Sequence, residues 1–270
     1  MNARTIRDAV PAFSRASHTA TAQQIIRAAR RSAVLRSPAA FAAHELLGST
    51  GRIGRHDLVD GGIVILRHRT RDVDIFDEVL VPPRAYDPPP QVATRLARMT
   101  RPRVIDLGGN IGLFALDCIK RHPDVCITSI EPDPTNLPIL NFCCTHNRNP
   151  DWTIMPVAAG IEAGTVRFTA GLFADSAVSD HGAVEVPMVD VFPLLADADF
   201  IKIDIEGSEW PILLDDRFLT LRAPVVVLEW HKAGAPPGDV RETVLARLTR
   251  AGYRAHANGS NHHGVAWAWR

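Results

Sequence analysis

The sequence has little lysine, few cysteines and no net charge, and these shortages exclude several classes of protein. Its 30 basic residues balance its 30 acidic residues, so no overall field draws the chain to nucleic acid or to an anionic membrane. The four cysteines show no CxxC spacing, and a chain of 270 residues with 46% hydrophobic residues needs no disulfides to fold. We therefore expect a cytoplasmic protein with reduced thiols that has no nucleic-acid or membrane partner.

Long apolar runs are also missing. Residues 223–228 form one of the longest such runs, which has the length of a strand and not the roughly 20 residues of a membrane-spanning helix. Only three of the basic residues are lysine, and this bias towards arginine and alanine favours a bacterial source. For a bacterial chain, the arginine-rich residues 1–50 are interpreted as structural and not as an organelle transit peptide.

The order of hydrophobic segments predicts one α/β domain with additions at its N-terminus. Residues 21–36 have an apolar stripe at helical spacing, which predicts a helix that caps the rest of the chain. Residues 54–81 predict strands, or a strand and a short helix, before a proline-rich stretch. The predicted organisation is a helical extension (1–53), a strand and loop lead-in (54–100) and a core domain (101–270).

In the core domain, strands alternate with helices, which predicts a parallel sheet covered on both faces. The predicted strands are 103–107, 125–130, 152–157, 200–204 and 224–228, and the predicted helices are 111–121, 133–146, 208–219 and 239–251. Two segments depart from this alternation. Residues 165–189 predict an inserted antiparallel excursion, and residues 253–256 and 265–269 predict an antiparallel hairpin at the edge of the sheet.

A glycine-rich turn, DLGGNIG at residues 106–112, follows the first core strand, where glycines let a ligand approach the backbone. Glu131 ends the second strand, the position from which such folds accept hydrogen bonds from a ribose. The dinucleotide pattern fails because its third and sixth glycine positions hold Asn110 and Leu113. Asp106 suits a cofactor with a cation, so the turn favours S-adenosylmethionine, which carries an ammonium and a sulfonium but no phosphate.

A second polar cluster follows the strand predicted at 200–204. Alternation places Lys202, Asp204 and Glu206 on one side of the backbone, so that one cation can face two acids. A structural ion pair is the alternative interpretation. These residues leave the carboxyl end of a strand, which is where open α/β sheets bind ligands.

Glu229 and His231 leave the next strand at the same edge of the sheet. A histidine titrates near neutral pH, so His231 is a candidate general base for an acceptor hydroxyl, with a solvent-facing role as the alternative. Asp204, Glu229 and His231 could instead hold a divalent ion that activates the hydroxyl, and the spacing does not decide between these hypotheses. His262 and His263 are expected to be solvated loop residues.

These segments resemble the FkbM family of S-adenosylmethionine-dependent methyltransferases. Four motifs carry the resemblance: VIDLGGNIG at 104–112, IEPDP at 130–134, IKIDIEG at 201–207 with Glu209, and VLEWH at 227–231. The resemblance spans residues 72–232. It implies a class I methyltransferase fold, with a doubly wound, mostly parallel seven-stranded sheet, to which the sequence adds the C-terminal hairpin and the N-terminal helical extension.

The resemblance also implies roles around the cofactor. The residues at its methionine end would be Asp106, Gly108, Asn110 and Gly112, its ribose would be held by Glu131, and its adenine edge would lie near Asp133 and Asn136. Glu78 and Tyr86 resemble a family pattern of an acid and a tyrosine that close over the cofactor. For these two residues a packing role is an equal alternative.

The sequence thus predicts an S-adenosylmethionine-dependent methyltransferase that O-methylates a hydroxyl of a small molecule. The resemblance implies a sugar, a polyketide or another secondary metabolite as acceptor. The predicted catalytic residues are Lys202, Asp204, Glu206 and His231. Two alternatives stay open, a nicotinamide-dependent oxidoreductase on the same sheet and a catalytically inactive cofactor-binding scaffold. The sequence decides neither the metal dependence nor whether the chain forms a homo-oligomer.

Overall fold

In the computed structural model, which describes residues 25–147, 149–172, 176–179 and 181–270, seven strands form the central sheet. From edge to edge they are β5 (Trp152–Met155), β4 (Cys126–Ile130), β3 (Arg103–Leu107), β10 (Phe200–Ile203), β11 (Val225–His231), β13 (His263–Trp269) and β12 (Arg254–Gly259). The first five are parallel, and β13 pairs antiparallel with both β11 and β12. The predicted seven-stranded sheet with its antiparallel C-terminal hairpin is confirmed.

The strand order reverses between β3 and β10, which are neighbours in the sheet. Strands β3 to β5 extend to one side of this point, whereas β10 and β11 lie on the other side. Because these five strands are parallel, their carboxyl ends lie at one edge of the sheet, where open α/β sheets bind ligands. Strand β11 alternates between two apolar cores, since Val225 and Val227 face one core and Val226 faces the other.

Helices cover both faces of the sheet. One face carries α3 (Arg71–Leu80), α4 (Pro90–Leu96), α5 (Leu113–Arg121) and α6 (Leu137–His146), and the other carries α7 (Phe192–Leu195), α8 (Glu209–Leu214) and α9 (Val240–Arg250). The helix predicted over 208–219 is shorter, because Asp215 is extended and its side chain starts a 3₁₀ turn at Asp216–Thr220. Among the described helices, none is long and apolar enough to cross a membrane.

The N-terminal part contains α1 (residues 25–34), α2 (Pro38–Leu47) and the antiparallel hairpin β1 (Ile53–Asp57) and β2 (Ile63–Arg67). The described part of the helix predicted over 21–36 is helical, and residues 21–24 lie outside the described residues. The segment predicted as a strand or a short helix before residue 81 is the helix α3, whose first turn is capped by Thr70. Arg31 of α1 donates to Asp77 of α3 at 2.6 and 2.7 Å, so the extension packs on α3.

The part of the chain between β5 and α7 forms a separate sheet. It contains β6 (Ala158–Gly160), β7 (Gly164–Thr169), β8 (Ala177–Val178) and β9 (Val184–Asp190) in the order β6, β9, β7, β8. Strand β7 pairs antiparallel with β8 and β9, which confirms the predicted excursion. The division of the chain at residues 53 and 100 stays a prediction.

Candidate functional site

A cleft follows the sheet edge at which β3, β4, β10 and β11 end. One part, the β4-side cleft, has about 550 Å³ of empty space, open solvent included, and is bounded by Glu131, Asn136 and Phe168. The other part, the β11-side cleft, has about 1020 Å³ of empty space on the same measure and is bounded by Glu78, Tyr86, Lys202, Glu229, His231 and His263. The two parts share Gly108, Asn110, Asp204 and Glu206, so they are continuous.

Gly108 brings the glycine-rich turn close to strand β10. Its φ is +88°, and a Cβ at this position would lie 1.8 Å from the backbone oxygen of Asp204, so only glycine fits. Gly108 and Gly109 both donate from their backbone N–H groups to the Ile130 carbonyl, at 3.0 and 2.9 Å. The turn is therefore held against both neighbouring strands, with its backbone at the cleft.

Asn110 and Gly112 have different roles in this turn. Asn110 has φ +47° and lines both parts of the cleft, and its Oδ1 is buried with no hydrogen-bond partner among the described residues. Gly112 faces the core, since a Cβ there would lie 2.9 Å from the Trp152 ring. This direction gives Gly112 a role in the packing of the turn, and its place at the methionine end stays a prediction.

Glu131 is buried at the end of β4. Its Oε2 accepts from the backbone N–H of Asn110 at 2.7 Å, and its Oε1 accepts from that of Asp133 at 2.8 Å. Burial raises the pKa of this carboxyl to about 7, although these hydrogen bonds lower it. Oε1 also accepts from Asn136 Nδ2 at 3.4 Å, whereas Oε2 has one donor and can accept from a further donor in the cleft.

Asp133 and Asn136 follow Glu131 but only one of them lines the cleft. Asp133 is fully buried and accepts from Ser176 Oγ at 2.6 Å and from the Gly171 N–H at 2.9 Å. It therefore connects the segment after β4 to the inserted sheet. Asn136 lines the β4-side cleft, and its Oδ1 accepts from Arg67. The structure thus places Asn136 where a nucleoside could lie and Asp133 behind it.

Lys202 joins the turn to strand β10. Its Nζ donates to the Gly108 carbonyl at 2.6 Å and lies 3.3 Å from both Asp106 and Asp204. Burial lowers the pKa of this lysine, but Asp204 and then Asp106 outweigh burial and raise it. Lys202 faces Asp204, as predicted, but the second acid beside it is Asp106, where the prediction had Glu206.

Asp106 contributes one of these two acids from beneath the turn. It is fully buried, it accepts from Ser129 Oγ at 3.0 Å, and it is not among the described residues that line either part of the cleft. Asp106 and Asp204 share the Lys202 ammonium, so the structure shows Asp106 as a support of the turn. Its contact with a cofactor cation stays a prediction.

Tyr86 lies between two carboxylates of the β11-side cleft. Its hydroxyl is 3.0 Å from Asp204 Oδ2, to which it donates, and it also contacts Glu229. Burial, and then the charges of Asp204 and Glu229, raise the Tyr86 pKa well above its usual value, so the hydroxyl stays a donor. Glu78, on α3, lines the same cavity, and its pKa is raised by burial and by Glu229.

His231 is held by acids on both of its ring nitrogens. Its Nε2 lies 3.3 Å from Glu206, and its Nδ1 lies 3.2 Å from the fully buried Glu209. Burial lowers the His231 pKa, but Glu209 and Glu206 outweigh burial and raise it to about 9. A ring with this pKa is mainly imidazolium at neutral pH and has no lone pair to accept a proton, which disfavours the general-base role. That role stays a prediction.

The metal hypothesis has two partly overlapping sets of ligands. Glu229, His231 and His263 offer ligand atoms within 4.8 Å of one another, as do Asp204, Glu206 and His231. A protonated His231 must lose its proton before it can bind an ion. A metal ion at this cleft stays a hypothesis.

Two site residues were outside the predicted catalytic set. Glu209 accepts from the His231 backbone N–H at 2.6 Å as well as from its ring, which the helix-start pattern around Ser208 does not show. His263 contacts Glu229 because β13 begins at His263 and pairs this residue directly with His231. A longer predicted final strand would have indicated that pairing.

Comparisons with known proteins show the family to which this chain belongs. The family model described as a methyltransferase FkbM domain matches residues 106–255. This match extends past residue 232, where the resemblance seen in the sequence ends, and it does not include Glu78 or Tyr86. A comparison with curated proteins finds no significant match.

Three similar solved structures are methyltransferases or carry S-adenosylmethionine. A precorrin-6y C5,15-methyltransferase from Geobacter metallireducens is 16% identical (67% of this chain, 87% of that chain, TM-score 0.42). M. jannaschii TYW2 in complex with AdoMet is 12% identical over 82% of this chain and 86% of that chain, with a TM-score of 0.43. The magnesium protoporphyrin IX methyltransferase of Synechocystis with bound SAM is 11% identical over 67% of this chain and 76% of that chain, with a TM-score of 0.41. Because the family model matches more than half of the chain, this protein belongs to the FkbM methyltransferase family and is an S-adenosylmethionine-dependent methyltransferase.

Proposed function

We propose that this methyltransferase O-methylates a hydroxyl of a polar small molecule bound in the β11-side cleft. The observation that carries the proposal is the continuity of the cleft, whose two parts meet at Gly108, Asn110 and Asp204. A cofactor in the β4-side cleft and an acceptor in the β11-side cleft would then face each other at this junction. Family membership argues against the nicotinamide-dependent alternative.

The residues of the β4-side cleft fit S-adenosylmethionine. Glu131 would accept from the ribose hydroxyls, and the unpartnered Asn110 Oδ1 would accept from the ammonium group. Asp106 and Lys202 hold the turn in place from beneath. When bound, the cofactor would supply a methyl group carried by a sulfonium. The sulfur leaves as a neutral thioether, which needs no proton.

The residues of the β11-side cleft would orient the acceptor and take its proton. Asp204 lies at the junction, where Lys202 and Tyr86 fix its carboxylate. We assign it as the group to which the hydroxyl proton moves while the oxygen receives the methyl group. The imidazolium of His231 orients Glu206. Holding the acceptor in line with the methyl supplies the largest share of the rate, since positioning contributes about 7 to 11 kcal/mol.

The test uses S-adenosylmethionine with a deuterated methyl group and a panel of sugars, polyketides and related hydroxyl compounds. Mass spectrometry should show the label in a product, and NMR should place it on oxygen. Asp204→Asn should reduce turnover by about 10²-fold or more while it keeps cofactor binding, and Glu162→Gln, an exposed acid elsewhere, should behave as wild type. A label on nitrogen or carbon would overturn the proposal. Calorimetric binding without transfer to any acceptor would support the inactive scaffold.

A further inference from the structure

Three histidines from separate elements meet in the N-terminal part, away from the cleft. His44 lies on α2, His56 on β1, and His68 directly after β2. Each offers one ring nitrogen, and the three nitrogens lie within 4.8 Å of one another. The Nε2 atoms of His56 and His68 are 2.8 Å apart. Three imidazoles that converge from distant parts of a chain are a typical arrangement of transition-metal ligands.

Gly54 leaves open the point on which these nitrogens converge. A Cβ at this glycine would lie 2.5 Å from His68 Nε2, 2.6 Å from His44 Nδ1 and 2.8 Å from His56 Nε2. The backbone of Gly54 is not in the left-handed region, so the conformation does not require glycine. The space among the rings is what requires it.

Hydrogen bonding alone leaves this cluster incomplete. The close pair His56 and His68 accounts for one contact, but His44 Nδ1 is buried with no hydrogen-bond partner among the described residues. An unpaired buried nitrogen is costly, by roughly 1 to 3 kcal/mol. A cation bound by all three nitrogens would remove that cost.

The surroundings of the cluster have two further features of a metal site. His68 Nδ1 lies 2.6 Å from Glu45 Oε1, the carboxylate contact that orients a ligating histidine and raises its basicity. The Phe41 ring packs 5.0 Å from the rings of both His56 and His68, which limits access of water.

We propose that His44, His56 and His68 form a three-histidine Zn²⁺ site that connects helix α2 to the β1–β2 hairpin. Three nitrogen donors suit zinc, whose fourth position water would complete. The site joins elements of the N-terminal part and takes no part in methyl transfer.

The test uses the full chain. The purified protein should contain one zinc per chain by elemental analysis. After removal by a chelator, added Zn²⁺ should raise the melting temperature, and Co²⁺ should give the absorption of a four-coordinate nitrogen site. His56→Asn and Gly54→Ala should abolish both effects, the second by filling the space among the rings. Glu45→Gln should weaken Zn²⁺ binding about 10- to 100-fold.

Two control variants separate this cluster from the cleft. His263→Asn changes a potential ligand in the β11-side cleft, and His181→Asn changes an exposed histidine, and both should bind zinc as wild type does. The proposal is overturned if the protein binds no zinc, or if zinc is lost in His263→Asn and kept in Gly54→Ala. If His56→Asn does not fold, Gly54→Ala and Glu45→Gln, which keep all three ligands, still decide the question.

Discussion

Glu209 accepts hydrogen bonds from both the backbone N–H and the ring Nδ1 of His231, at 2.6 and 3.2 Å. Because Glu209 is fully buried at the start of α8, it fixes the position and the protonation of a histidine that ends β11. The same carboxylate accepts from the Gly207 N–H, so one side chain connects the loop after β10 with the end of the next strand. The positive charge of His231 in the β11-side cleft depends on this connection.

His231 should make folding stability depend on pH. Its pKa in the folded protein, about 9, is above the unfolded value of 6.5, so its contribution is complete below about pH 6.5 and is lost as pH rises through about 9. The loss is at most about 3 kcal/mol. Denaturant unfolding between pH 6 and 10 should show this slope in wild type and in His181→Asn. In His231→Asn the loss of stability between pH 6.5 and 9 should be smaller than in wild type, and an unchanged loss would refute the assignment.

Glu131 should make cofactor affinity depend on pH. Burial raises its pKa to about 7, and its charged form is the better acceptor for ribose hydroxyls. Calorimetry with S-adenosylmethionine should therefore show affinity that is constant above pH 8 and falls by up to about tenfold per pH unit below pH 6. Glu131→Gln should bind weakly at every pH, whereas the exposed Glu162→Gln should follow wild type. A Glu131→Gln variant with wild-type affinity would exclude the ribose contact.

Local patterns in the sequence predicted the central sheet well. Continuous apolar runs identified β10 and β11 as strands buried on both faces, and glycines identified the turn after β3, because both features follow from the backbone itself. The start of α6 was predicted four residues early, at 133 and not at Leu137. Residues 131–136, which include Pro132 and Pro134, form a turn that places Glu131 and Asn136 at the cleft.

The site was predicted less completely, because its charges are set by contacts between elements. Alternation placed Glu229 and His231 on one side of β11, but it could not show that Glu209 would stabilise the protonated form of His231. The histidine cluster gave no signal, since its residues are twelve apart and meet only when α2 packs on the hairpin. Such partners are determined by tertiary packing and not by a local pattern.

Lys202 should be essential for folding as well as for the cleft. Its side chain is 4% exposed and stands between Asp106 and Asp204, so Lys202→Met would leave a buried carboxylate without its cation. Removing one partner of a buried pair costs about 3 to 5 kcal/mol. Lys232→Met, at an exposed lysine, should change the free energy of unfolding by less than about 0.5 kcal/mol. Equal unfolding free energies for the two variants would contradict the structural role of Lys202.

Gly108 should tolerate no side chain. An added Cβ would meet the Asp204 backbone oxygen at 1.8 Å in a left-handed conformation, so Gly108→Ala must move the turn away from β10. This movement breaks the Lys202 contact with the Gly108 carbonyl, and we expect a loss of at least about 2 kcal/mol of stability together with the loss of cofactor binding.

Gly164→Ala provides the matched control for Gly108→Ala, because a Cβ at Gly164 meets nothing within 4 Å and its backbone is not left-handed. This variant should bind S-adenosylmethionine as wild type does, with stability changed by less than about 1 kcal/mol. Thermal unfolding and calorimetry on both variants measure the difference. If Gly108→Ala keeps wild-type cofactor affinity, the turn does not lie against the cofactor, and the placement of the methyl donor at the junction of the two clefts is wrong.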